Sequence, residues 1–153
     1  MKLLIYVFIG LILLLVQLTV IELVSIRGAV PNLLVIFLIY FVQVAQRTKT
    51  IVFAFLLGVI QDLLTCGVPG VYALAKSVAG FIAGRYIAHH FYQPVLIVFV
   101  ADLLHNILVL LFLTDKPHMS QLLFMLISSL YTAVIAIVIF SLFPIHEREE
   151  TEF

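Results

Sequence analysis

GVIQDLLTCGVPGVYALAKSVAGFIAG, residues 58–84, is apolar enough to lie in a membrane. It nevertheless holds an acid, Asp62, and a base, Lys76, on either side of a Gly67-Val68-Pro69-Gly70 turn. In two antiparallel helices joined by that turn, both charges fall about one to one and a half turns below the same surface. An ion in lipid is costly unless paired, so the spacing predicts that Asp62 and Lys76 approach each other. The arm after the turn carries small residues at helical spacing: Ala75, Ala79 and Ala83 on one line, Gly80 and Gly84 on another. Such lines let a second helix come close in lipid, whether it belongs to this chain or to a partner.

The rest of the chain has the same character. Of its 153 residues, 65% are hydrophobic and 10% charged, against about one half and one quarter in a soluble domain. The expected fold is all-α and integral to the membrane, a single transmembrane domain over residues 1–153 with no sizeable soluble part. A net charge of +0 argues against nucleic acid as a partner. Cys66 is the single cysteine, so an internal disulfide is impossible and no cysteine-rich metal site exists. The apolar run after Lys2 reaches about Val24 without a small-residue cleavage site, and further apolar segments follow, so it reads as a retained first helix.

Six spans are expected, at about 3–24, 31–46, 51–66, 71–90, 94–113 and 120–143, forming a compact bundle. Pro31 opens the second, where its missing N–H costs nothing. That span is short for a bilayer. Arg47 to Thr50 read as a basic connection. Glu22, with Arg27 just beyond, reads as an interfacial carboxylate. Pro144 stops the sixth span before a short acidic tail. An even number of spans places both termini on one side. Lys2, Arg47, Lys49, Arg85 and Arg148 fall on that side, Arg27 and Lys116 on the other. This bias predicts cytoplasmic termini and an outward-facing Gly-Val-Pro-Gly turn.

Asp102, His105 and Asn106 share one face of the fifth span near mid-membrane, and that face cannot look at lipid. Ser128, Ser129 and Thr132 on the sixth are interhelical donors. The adjacent His89 and His90 point about 100° apart on a helix, so they make no chelating pair alone. Asp62 and Asp102 lie at different depths, which argues against a two-acid protease. No phosphate loop or metal-ligand spacing is present. The chain reads as a non-enzyme requiring no metal or cofactor.

Pro31-Asn32-Leu33-Leu34 opens the second span. Gly58, Asp62, Leu63 and Leu64 follow, then Pro69-Gly70, Tyr72-Ala73-Leu74, Gly80 and Gly84. In order and spacing these residues resemble the MreD family, the small membrane subunit of the bacterial rod-shape (elongation) machinery. The specific part of the resemblance covers about Pro31 to Gly84; the last two spans match in hydrophobicity only. An acid often follows the proline of the second span in that family, and this chain has Asn32 there. The resemblance implies an inner-membrane protein that binds MreC and supports peptidoglycan synthesis and cell shape. It also implies proximity to RodA, to a class B penicillin-binding protein and to MreB, and a fold similar to the substrate-binding subunits of energy-coupling-factor transporters. The alternative is a vitamin-like ligand-binding subunit of a transporter, whose polar pocket Asp62, Lys76, Asp102, His105 and Asn106 would line. A homodimer is left open.

Overall fold

The computed structural model describes residues 2–19, 29–65, 68–85, 92–114 and 118–143. They form six helices: α1 (Lys2–Thr19), α2 (Leu33–Val44), α3 (Arg47–Thr65), α4 (Val71–Arg85), α5 (Tyr92–Leu113) and α6 (Met119–Leu142). The stretches around Glu22 and Arg27, Cys66 and Gly67, His89 and His90, Lys116, and the tail from Pro144 lie outside the described residues. By length and composition α3, α5 and α6 are long and apolar enough to cross a membrane, and α1, α2 and α4 are shorter apolar helices. Exposed apolar side chains girdle the bundle, among them Phe8, Phe55, Leu96, Phe112, Leu130 and Val138. A soluble protein does not present such a surface; a lipid-facing one does.

Three helix starts differ from the sequence reading: α2 begins at Leu33 with Asn32 as its cap, so Pro31 precedes the helix instead of opening it. Helix α3 begins at Arg47, not Ile51, so the basic connection is its first turn. The chain breaks direction one step earlier, at Ala45, which is extended. Helix α5 starts two residues before Pro94. A proline in the first turn removes only an N–H that would be unpaired anyway.

Helix α2 occupies the centre. Leu34, Val35, Ile36, Phe37, Leu38, Ile39 and Phe41 are all buried, so this helix is apolar on every side and walled on every side. Phe41 stacks on Phe53 of α3 with ring centroids 4.3 Å apart. Tyr40 packs on Phe140 and donates its hydroxyl to the Phe143 carbonyl at 2.6 Å, tying α2 to the end of α6. At 12 residues α2 is about 18 Å long. Being surrounded by protein, it needs no lipid-matched length.

Helices α3 and α4 form the tightest pair. A Cβ at Gly58 would lie 2.4 Å from Ala73 Cα and 2.5 Å from the Tyr72 carbonyl oxygen. A Cβ at Gly80 would lie 2.8 Å from Ala54 Cβ, and one at Gly84 2.7 Å from Arg47 Cγ. The glycines thus hold the two backbones together near both ends of the hairpin. Arg47 also lies over the Phe81 ring, 4.6 Å from its centroid.

Gly58→Ala is expected to destabilise the fold by about 1–3 kcal/mol, because the added methyl meets backbone that cannot rotate away. Gly80→Ala meets mainly another methyl, so Ala54→Gly should restore part of its loss. Thermal unfolding in detergent micelles measures both; a neutral Gly58→Ala would refute the close approach.

Candidate functional site

The hairpin puts Asp62 in the last turn of α3, beneath the turn that leads into α4. Its carboxylate accepts from three backbone N–H groups: Gly70 at 3.0 Å and Ala73 at 3.0 Å on Oδ2, and Tyr72 at 3.0 Å on Oδ1. These amides belong to the start of α4, where a helix has no internal acceptors to offer and carries partial positive charge. Gly70, at φ 96, adopts the left-handed conformation that the sharp entry requires. Asp62 is therefore the anionic cap of α4.

Among the described residues no hydrogen bond joins Asp62 to Lys76. Lys76 is 1% exposed, and its Nζ has no hydrogen-bond partner among the described residues. Its aliphatic stem carries the ammonium to 5.9 Å from the centre of the Tyr72 ring. Of the two carboxylates whose field acts on it, Asp102 has the larger effect and Asp62 the smaller. The backbone amides outcompete Lys76 for Asp62 because they are fixed in place at no side-chain entropy cost.

Asp102, His105 and Asn106 do face inward, at 0% and 4% exposure for the first two. Asn106 Nδ2 donates to Asp102 Oδ2 at 3.3 Å and to Ser129 Oγ at 3.1 Å. Thr132, Asn32 and Ser129 lie near the same carboxyl, whose Oδ1 has no hydrogen-bond partner among the described residues. The His105 ring lies 6.1 Å from the Tyr72 ring and contacts the Ala75 backbone. Lys76, Asp102 and His105 thus form one buried group between α4, α5 and α6.

A second set of polar contacts surrounds the start of α2 and is less apparent in the sequence. Asn32 caps the helix, its Oδ1 accepting from Val35 N at 3.4 Å and from Gln17 Nε2 at 3.2 Å. Gln17 Oε1 accepts from Leu34 N at 3.2 Å. Asn32 N donates to Thr132 Oγ1 at 3.0 Å, and Ser128 Oγ donates to the Val30 carbonyl at 2.7 Å. Non-helical backbone at membrane depth persists only where protein satisfies it, and here α1 and α6 do so.

The small residues are spent inside the chain. Ala75, Ala79 and Ala83 are 0–2% exposed, and Gly80 and Gly84 face α3. They pack helices of this bundle, and the face that α4 turns outward carries the larger side chains Leu74 and Phe81 instead. Pro69 and Gly70 remain at the exposed turn.

Between these two polar sets lies a cavity of about 740 Å³ at the turn end of the bundle. Amide side chains from several elements line it: Gln17, Asn32, Gln61, Asn106 and Gln121. Tyr72, His105 and Ser128 also contribute. Of the five residues expected to line a pocket, His105 and Asn106 do so. Asp62, Lys76 and Asp102 are not among its lining residues.

Asp62→Ala is expected to lower stability by at least about 2 kcal/mol, since hydrogen bonds to a charged group contribute about 1.5–3 kcal/mol each. Lys76→Met should not relieve that loss. In double-mutant cycles read by unfolding in mixed micelles, Asp62 and Lys76 should couple by less than about 0.5 kcal/mol, and Asp102 and Lys76 by more. The reverse order would restore the direct Asp62–Lys76 pair.

No curated protein and no solved structure gives a significant match to the chain. One family model does: rod shape-determining protein MreD, over residues 1–146. The match spans α1 to α6, including the buried polar group and the capped hairpin, and it agrees with a helical protein built for a membrane. The chain belongs to the MreD family of rod shape-determining proteins.

Proposed function

We propose that the chain is a non-enzymatic, six-span subunit of the bacterial cell-elongation complex in the inner membrane. In this reading it binds MreC and supports peptidoglycan synthesis and cell shape. The family match over residues 1–146 carries the proposal. The distribution of polar groups supports it: Asp62 caps α4 and Asp102 is bonded to Asn106. RodA, a class B penicillin-binding protein and MreB are the further neighbours of such a subunit.

The partner contact is formed within the membrane. The described connections are short, whereas stable interfaces bury about 1,200–2,000 Å². Because α4 keeps its small residues inside, MreC meets the lipid-facing sides of the outer helices. Close packing there rests on large apolar side chains such as Phe8, Leu15 and Leu130.

Reporter fusions test the topology. Fusions at Phe153 and Val68 are expected to report opposite sides, with Phe153 cytoplasmic. Affinity purification from native membranes tests the function: MreC should be recovered with the wild-type chain. A folded chain that fails to associate with MreC in lipid would overturn the assignment.

A further inference from the structure

Away from the polar interior, α1 and α3 meet at Gly10, where a Cβ would lie 2.6 Å from Phe53 Cζ. Beside this crossing a second cavity, of about 310 Å³, forms a groove along α3. Thr48, Lys49, Val52, Phe53 and Leu56 make one side of it and Val7 of α1 the other, with Phe41 of α2 beneath. The α3 residues recur at i, i+1, i+4, i+5 and i+8, a single stripe of a helix. The groove therefore follows α3 for about 12 Å.

Three features define its occupant. First, its surface is almost wholly apolar. Val52 and Leu56 are exposed at the rim, and Phe53, stacked on Phe41, is buried at the floor. A polar occupant would lose its hydration there and gain no hydrogen bond. Second, the groove is narrow. Spread over about 12 Å, the volume leaves a section of roughly 26 Å², about 5 Å on a side. A helix with its side chains is about 10–12 Å across. The rim also carries Val and Leu instead of the small residues that let helices approach. An extended hydrocarbon chain fits this slot, and a helix does not.

Third, one end is cationic. Thr48 and Lys49 are exposed in the first turn of α3, where N–H groups without helical acceptors add positive potential. Polar atoms contribute almost nothing to the groove surface, so Lys49 lines it with its aliphatic stem and carries its ammonium beyond the edge. Among the described residues the carboxylates are Asp62 and Asp102. Asp62 lies about 20 Å further along α3, and Asp102 is buried on α5. Neither neutralises Lys49. Arg47 is turned the other way, over Phe81 of α4.

We propose that this groove holds one acyl chain of an anionic glycerophospholipid, with the phosphate at Lys49 and Thr48. The slot selects a single chain, and the lysine selects the headgroup charge. A lysine near a leaflet surface favours an anionic headgroup by about fivefold.

The chain contains no tryptophan, so a single introduced one reports on its own surroundings. Leu56→Trp places it in the groove. Val134→Trp places it on an exposed face of α6, at a similar distance from the same end of the bundle. Each full-length variant is reconstituted in phosphatidylcholine nanodiscs. Phosphatidylglycerol or phosphatidylcholine brominated at mid-chain is then titrated in, and bromine quenches the tryptophan it touches. In Leu56→Trp the brominated phosphatidylglycerol is expected to quench at about fivefold lower mole fraction than the brominated phosphatidylcholine. In Val134→Trp the two lipids should quench equally. Adding Lys49→Gln to Leu56→Trp should remove the preference while quenching by phosphatidylcholine, helicity and elution stay unchanged. Val7→Trp reads the groove from its other side and serves if Leu56→Trp fails to fold. Equal quenching by the two lipids in the groove, or the same preference in Val134→Trp, would overturn the proposal. So would a preference that survives Lys49→Gln, or a groove shielded from both lipids, as a protein segment seated in it would produce.

Discussion

A carboxylate placed where a helix begins governs this bundle. Asp62 accepts from three amides across the α3–α4 turn, so one side chain fixes the register of the hairpin. In lipid the consequence is larger than in water, because uncapped N–H groups there have no solvent to bond. Once the turn is fixed, Gly58 brings the α4 backbone against α3, and Gly80 and Gly84 continue the contact toward the other end. Ala79 and Ala83 then belong to the same core as α2. The cap and the close packing depend on each other: without the small residues, the amides would not reach the acid.

The same constraint explains the polar groups elsewhere. Thr50, Thr65, Ser77 and Thr132 return their hydroxyls to carbonyls four residues earlier, so they occupy apolar helices without unpaired donors. At the start of α2, where no helix can supply partners, Gln17, Ser128 and Thr132 do. Lys76 and Asp102 are the costly exceptions. An unpaired charge at the membrane centre costs on the order of 2.5–3.5 kcal/mol. Their opposite charges, shared burial and surrounding hydroxyls reduce that cost without a direct bond to Lys76 Nζ.

Much of this was legible in the sequence. Apolar runs marked all six helices, and Gly-Val-Pro-Gly marked the hairpin. The i, i+3, i+4 spacing placed Asp102, His105 and Asn106 on one inward face. The backbone partners of Asp62 escaped the sequence reading for a definite reason. Charge arithmetic considers side chains, and the winning acceptor–donor set was backbone, invisible to composition. The fate of Gly80 and Gly84 was also undecidable by spacing, since a packing line looks the same whether its neighbour is internal or foreign. The amide-lined cavity had no local signal at all. Gln17, Gln61, Asn106 and Gln121 are dispersed along the chain, and only the assembled bundle gathers them. Gln17 is a lone amide in an apolar helix, which is itself a sign of a bonded neighbour.

Asn32 shows how this chain resolves a problem that an acid would pose differently. An aspartate at position 32 would cap α2 equally well and would still accept from Gln17 Nε2. It would also set a second negative charge beside Asp102, on which the Asn32 side chain already acts. Two carboxylates at that depth would repel unless a proton or a cation stood between them. An amide avoids the conflict because it has two ends. Its oxygen serves Val35 N and Gln17, and its NH₂ is left to face Asp102. The field of Asp102 then remains available to Lys76 across the α4–α5 contact. With an amide at position 32, the Asp102 carboxyl that acts on Lys76 has no second carboxylate beside it at the start of α2.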